Sequence, residues 1–170
     1  MKKVTPLSML AVFGLIVITA CEHQGGLPHR LSDFPNQIQA TPMECGPVCL
    51  KIITDYYGQD IPLDSIYALS GYEPADGCTL LGMDTAIQHL GYITLPVQVT
   101  YDDLEIAPLP GIMFWTKNHF LVVYHLTQDS VWISDPARGK LTLSRKAFEE
   151  GWAQHGDNRD EGIALLLEPQ

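Results

Sequence analysis

Four side chains in this sequence are of the types that acyl transfer through a thiol requires: Cys45, His119, Asp135 and Gln39. Cys45 opens the stretch "CGPVCLKIITDYYG", in which the apolar residues Val48, Cys49, Ile52, Ile53 and Tyr56 recur at helical spacing. That pattern predicts a helix over 45–57 with one face in a core, Pro47 in its first turn and Gly58 at its cap. The N-terminus of a helix carries partial positive charge and free N–H groups, so a thiol placed there has a lowered pKa and favours the nucleophilic thiolate. The rule separates the two cysteines of the stretch. Cys45 is the candidate nucleophile, and Cys49, one turn in on the apolar stripe, belongs to the core.

A thiolate also needs a base, a group that orients the base, and a donor for the oxyanion formed when a carbonyl is attacked. His119 opens the run "HFLVVYHL" and Asp135 closes "VWISD" before Pro136. A hairpin turning near Thr127–Asp129 brings those two strand ends together, within reach of a hydrogen bond. Gln39 precedes Cys45 in extended sequence, and its amide could point to the same place as the Cys45 backbone N–H. Each residue alone has a plainer account: His119 as a polar strand end, Asp135 as the start of a turn, Gln39 as part of a linker. The matched positions of the first two carry the argument. His125, near the turn, and His89, on a mostly buried helix, read as structural.

The elements that must hold these residues follow from pattern. Helices are expected over 63–70 and 80–90, the latter with Thr79 as N-cap and Gly91 as stop. Beyond Gly91, "YITLPVQV", "GIMFW", "FLVVYHL", "VWISD" and "KLTL" are short β-branched and aromatic runs separated by turn residues, a strand signature. Ser144 then caps a helix, "RKAFEEGW", and "GIALLLE" closes the chain as a strand. Helices first and an antiparallel sheet second make an α+β fold.

The chain has 170 residues, the size of one domain, and a net charge of −10. That charge argues against nucleic acid as a partner, because a phosphate-binding surface needs surplus Lys and Arg. Lys2 and Lys3 followed by "PLSMLAVFGLIVITA" form an export signal over 1–20, too short for a comfortable membrane span. Its exit, "VITAC", resembles the bacterial lipoprotein box. That resemblance implies a diacylglyceryl group on Cys21, which becomes the mature N-terminus and holds the protein on a membrane outside the cytoplasm, on the periplasmic side or at the cell surface. Residues 21–36 are expected to be a flexible tether, since Gly, Pro and polar residues there lack periodicity, and 37–170 the folded domain. With Cys21 lipidated, Cys45, Cys49 and Cys78 remain, and an odd thiol in an exported chain is a candidate for reactivity. The compartment allows a Cys49–Cys78 disulfide, although spacing does not establish one. Scattered histidines and unpaired Cys spacing give no metal site, and no cofactor is expected.

The pattern Q-x5-C-G-P-V-C-L-K-I-I-T-D-Y-Y-G resembles the opening of the papain-like peptidase domain fused to bacteriocin-exporting ABC transporters, a family that cleaves leader peptides after a double glycine. The likeness continues through "DGCTLLGMDTAIQHLGY", "LPGIMFWTKNHFLVVYH" and "VWISDPARGKLTLSRKAFEEGW", and so covers about residues 37–168. It implies a papain-like fold with Cys45 as nucleophile, His119 as general base and acid, Asp135 as its orienter and Gln39 as oxyanion donor. It also implies a peptide substrate, cut after Gly-Gly in leader or secreted peptides, and leaves open whether a separate exporter is the partner. Three features depart from the family: a stand-alone, exported chain where the family is cytosolic and fused to membrane helices and an ATPase; Glu44 where Asp is usual; and Cys78 where Thr or Ser is usual. The last opens the prospect of a Cys45–Cys78 disulfide that silences the nucleophile. Two other readings use the same residues: a peptide-binding module without catalysis, and an acyltransferase or cell-wall amidase that resolves the same thioester.

Overall fold

Three helices form the first layer: α1 (Cys45–Tyr56), α2 (Leu63–Ser70) and α3 (Leu80–His89). The computed structural model describes residues 31–153 and 159–170. The expected signal peptide, Cys21 and residues 21–30 of the expected tether lie outside them. The helix ends follow the residues that cap them. Gly58 and Gly91 take positive φ (77° and 91°), and the Thr79 hydroxyl accepts the Gly82 N–H at 3.0 Å. Gly82 also lets α3 approach α2, because a Cβ there would lie 2.2 Å from the Ser70 carbonyl oxygen.

The second layer is one antiparallel sheet of β1 (Tyr92–Thr100), β2 (Gly111–Trp115), β3 (His119–Leu126), β4 (Ser130–Asp135), β5 (Gly139–Ser144) and β6 (Glu161–Pro169). The strand order is β1-β6-β2-β3-β4-β5, so the last strand is inserted between the first two. A short α4 (Tyr101–Glu105), which apolar spacing does not reveal, starts at Thr100, whose hydroxyl accepts the Asp103 N–H at 3.2 Å. Helix α5 (Arg145–Trp152) starts at Ser144, as expected, with the Ala147 N–H on its hydroxyl at 3.3 Å.

The sheet separates two cores. Strand residues alternate between its faces: Phe120 and Val122 of β3 join Cys49, Ile52 and Met83 under α1 and α3. Leu121 and Val123 turn to the opposite side and pack with Phe148 and Trp152 of α5. The fold is therefore α+β, with the N-terminal helices on the sheet.

Within the described end of the expected tether, side chains touch the domain. Phe34 is buried, with its ring stacked on Tyr124 at 4.2 Å and against Tyr56 at 5.0 Å. The Ser134 hydroxyl also donates to Asn36 Oδ1 at 2.9 Å. Phe34 and Asn36, in the stretch expected as tether, thus pack on the domain: a single aromatic ring finds a slot between α1 and β3, a contact that aperiodic flanking sequence does not signal.

Candidate active site

The N-terminus of α1 abuts the open end of the β3–β4 hairpin. Cys45 is buried there, and its thiol hydrogen-bonds the His119 ring and receives the backbone N–H groups of Phe120 and Gly46. The other ring nitrogen of His119, Nε2, meets Asp135 Oδ1 at 2.8 Å, which leaves Nδ1 for the sulfur. Val122–Ser134 is the last registered pair at this end of the hairpin; Asp135 lies directly beyond it and His119 further out on β3, where the chain turns away.

Asp135 is wholly buried, and its position comes from turn chemistry. The Arg138 N–H donates to the Asp135 carbonyl at 3.1 Å, closing a turn with Asp at its first position and Pro136 at its second. The Ala137 N–H bonds Oδ1 at 2.8 Å, and Arg138 Nε bonds Oδ2 at 2.7 Å. Turn starter and histidine partner are the same residue.

Electrostatics follow from these contacts. Burial pushes the Asp135 carboxyl up, but hydrogen bonds from His119, Arg138 and Ala137 outweigh it and bring it to about 2. Burial pulls His119 down, yet its bonds to Asp135 and Cys45 and their charges raise it to about 9. Burial opposes ionisation of Cys45 as well, but the bond to His119, the Phe120 N–H, the His119 charge and the Gly46 N–H leave its pKa lowered. Thiolate and imidazolium stabilise each other. The remaining cysteines are of a different kind: burial drives Cys49 well above the ordinary thiol range and, with the Cys45 charge, Cys78 to about 12. Cys45, Cys49 and Cys78 are all free thiols.

A cleft of about 780 Å³ opens over Cys45, lined also by Gln39, Cys78, Trp115, His119 and Arg138. The Gln39 backbone N–H is anchored to the Pro136 carbonyl at 2.9 Å. Its Oε1 is enclosed without a hydrogen-bond partner, and the residue lines the cleft. The structure therefore brings all four sequence candidates to one cleft. Of the other histidines among the described residues, His89 and His125 lie away from it. His89 is exposed, with Nδ1 at 2.9 Å from the Thr85 carbonyl, and His125 packs on Trp132 at 4.8 Å between ring centroids. Among the described residues, no group of three or more His, Cys, Asp or Glu side chains is placed to hold a metal ion.

Several contributors were not singled out from sequence. Arg138, three residues after Asp135 in "DPAR", could have been found from the turn it closes. The loop ahead of His119 carries Lys117 and Asn118 at positive φ (62° and 55°), and its Thr116 N–H bonds the Gly151 carbonyl at 3.1 Å. Gly151 lies flat against Trp115, where a Cβ would come within 2.1 Å of the ring. Glu44, noted in the sequence only as a replacement for Asp, is a buried carboxylate.

A helix-end thiol joined through histidine to a buried carboxylate, with helices packed on an antiparallel sheet, defines the papain-like class of folds. Residues 33–156 match the Peptidase C39 family, and the chain belongs to that family. It is 30% identical over 134 residues to the lactococcin-G-processing and transport ATP-binding protein LagD of Lactococcus lactis subsp. lactis, covering 75% of this chain and 18% of that protein. It is 32% identical over 132 residues to the colicin V secretion/processing ATP-binding protein CvaB of Escherichia coli, covering 77% of this chain and 18% of that one. The chain thus spans less than a fifth of the length of these relatives. Among solved structures, it superposes on a double glycine motif protease from an AMS/PCAT transporter, in complex with the leader peptide. The TM-score is 0.72 at 25% identity, over 80% of this chain and 91% of that one. The peptidase domain of Streptococcus ComA, a bi-functional ABC transporter, gives 0.68 at 25% identity, over 81% and 99%.

Proposed function

We propose that this protein is a cysteine peptidase that cleaves after Gly-Gly in leader or secreted peptides, tethered to a membrane outside the cytoplasm by lipid on Cys21. The observation that carries the catalytic reading is the hydrogen-bonded chain Cys45–His119–Asp135 in the cleft at the N-terminus of α1. Cys45 Sγ attacks the scissile carbonyl carbon, and the carbonyl π electrons move onto oxygen. The oxyanion is met by the Gln39 amide and the Cys45 backbone N–H. Collapse expels the amine, which takes its proton from the His119 imidazolium, and leaves a thioester on Cys45. His119 then takes one proton from water as it attacks the thioester; collapse restores the thiolate and releases the carboxylic acid, which gives its remaining proton to solvent. Asp135 holds the ring orientation and its positive charge throughout.

The preference for glycine is supported by the related double glycine motif protease and its leader peptide. A charged thiolate–imidazolium pair serves chemistry that a binding module does not need. Single-turnover cleavage of peptides with a Gly-Gly junction tests the reading. The Cys45→Ala variant is expected to be inert, and cleavage by it at the wild-type rate would remove the catalytic assignment. For the anchor, the wild-type chain is expected to incorporate a labelled fatty acid and Cys21→Ser is not. A wild-type chain without label would remove the lipid tether. A separate exporter as partner is tested by co-purification from detergent-solubilised membranes, and its absence there counts against the partnership.

A further inference from the structure

The segment between Gln39 and Cys45 is held together by one carboxylate. Glu44 Oε2 accepts the Ala40 N–H at 2.6 Å and the Thr41 N–H at 3.2 Å, while the Glu44 N–H returns to the Thr41 carbonyl at 3.2 Å. The Tyr67 side chain on α2 hydrogen-bonds the same carboxylate, and Glu44 is only 8% exposed. The two amides it gathers directly follow Gln39, and its own backbone directly precedes Cys45. Its side chain lies outside the hydrogen bonds made by Cys45, His119 and Asp135. A charged acceptor on two amides is a strong clamp. These bonds close the backbone that joins the proposed oxyanion donor to the nucleophile.

We infer that Glu44 is a positioning residue for oxyanion stabilisation, holding the Gln39 amide in register with Cys45; this rests on the catalytic reading above. The inference predicts an effect on attack at a carbonyl and none on the nucleophilicity of the thiolate. Iodoacetamide separates the two, because alkylation displaces iodide from a saturated carbon and forms no oxyanion.

The experiment compares wild type, Glu44→Ala, Glu44→Gln, Gln39→Ala and the Gln39→Ala/Glu44→Ala double variant. Gln39→Ala is expected to lower kcat on a Gly-Gly peptide by about 100-fold, the scale of one lost oxyanion donor. Glu44→Ala is expected to lower kcat at least about 10-fold with KM and iodoacetamide reactivity nearly unchanged, since small misplacements cost that much. Glu44→Gln, which retains an acceptor oxygen, is expected to recover most of the loss. The double variant is expected to be no slower than Gln39→Ala, because the clamp acts through a side chain already removed. Multiplying effects in the double variant, or alkylation falling in step with kcat, would overturn the inference and leave the peptidase reading standing. A silent Gln39→Ala overturns the oxyanion assignment and the inference with it. Should Glu44→Ala not fold, Tyr67→Phe removes one donor to the clamp and is expected to show the same pattern at smaller amplitude, with independent effects in the Gln39→Ala background counting against it.

Discussion

At the scale of single residues, the site is a proton inventory held by three groups that shift one another. Cys45 and His119 titrate as a pair, so activity should follow the population of thiolate with imidazolium rather than either group alone. The upper bound is set where His119 loses its proton, at about 9, and the lower bound lies below the ordinary thiol value of 9.0. kcat/KM measured on a Gly-Gly peptide from about pH 5 to about pH 10 is therefore expected to fall on the alkaline side near 9. In Asp135→Asn the charge that helps hold the imidazolium is gone, and the alkaline limb is expected to move down toward the ordinary histidine value of 6.5. An alkaline limb that stays in place would show that Asp135 does not support the charge. The same carboxylate has a signature in stability. Its folded value of about 2 lies below the ordinary 3.8, so its contribution is present above 3.8 and is lost as pH falls through 2. Urea melts of wild type and Asp135→Asn are expected to converge as the medium is acidified through that window.

At the scale of elements, residues that do chemistry are presented by strand and helix ends, and those ends are braced from behind. His119 follows a loop whose Thr116 is tied to the Gly151 carbonyl, and Trp115, its cross-strand partner, packs on the bare face of Gly151. A Cβ at position 151 would sit 2.1 Å from the Trp115 ring, so the indole must move. Gly151→Ala is expected to cost about 1–3 kcal/mol in stability, as overpacking does. It is also expected to lower kcat in molecules that remain folded, because the displaced hairpin carries His119. Thermal melts together with active-site titration check this, and a stability loss with full kcat would mean that α5 does not brace the site. The same elements explain what could be read from sequence. Helices α1, α2 and α3 and the six strands announce themselves by apolar spacing and turn residues. The meeting of His119 with Asp135 is legible because one hairpin is a local contact. Helix α4 is too short to have a period, and the packing of Phe34 depends on rings contributed by α1 and β3. The role of Gly151 is invisible until Trp115 lies upon it, and Glu44 is unreadable as a clamp without the path of the backbone from Ala40 to Cys45.

At the scale of the whole molecule, the sheet divides the labour between its two faces. The face under α1 and α3 carries Cys45 and Cys49 in its core, while the opposite face is filled by Phe148, Trp152, Tyr101 and their neighbours. Trp152 is fully buried, donates its indole N–H to the Ile163 carbonyl at 2.9 Å, and lies over Gly162, where a Cβ would come within 2.3 Å of the ring. It therefore ties α5 to β6, the strand that closes the sheet between β1 and β2, without touching the cleft. Trp152→Ala is expected to cost about 3–5 kcal/mol, through lost burial and the cavity left behind. For a domain of this size that lowers the melting temperature by roughly 10 °C. Well below the transition, kcat per titrated active site is expected to stay near the wild-type value, because the hairpin end, the Asp135 turn and the Glu44 clamp all draw on other contacts. A proportionate fall in kcat would instead show that the second core sets the geometry of the first. The contrast with Gly151→Ala makes the test sharp: two neighbours on one helix, one against Trp115 at the rim and one against β6 in the interior, should separate activity from stability.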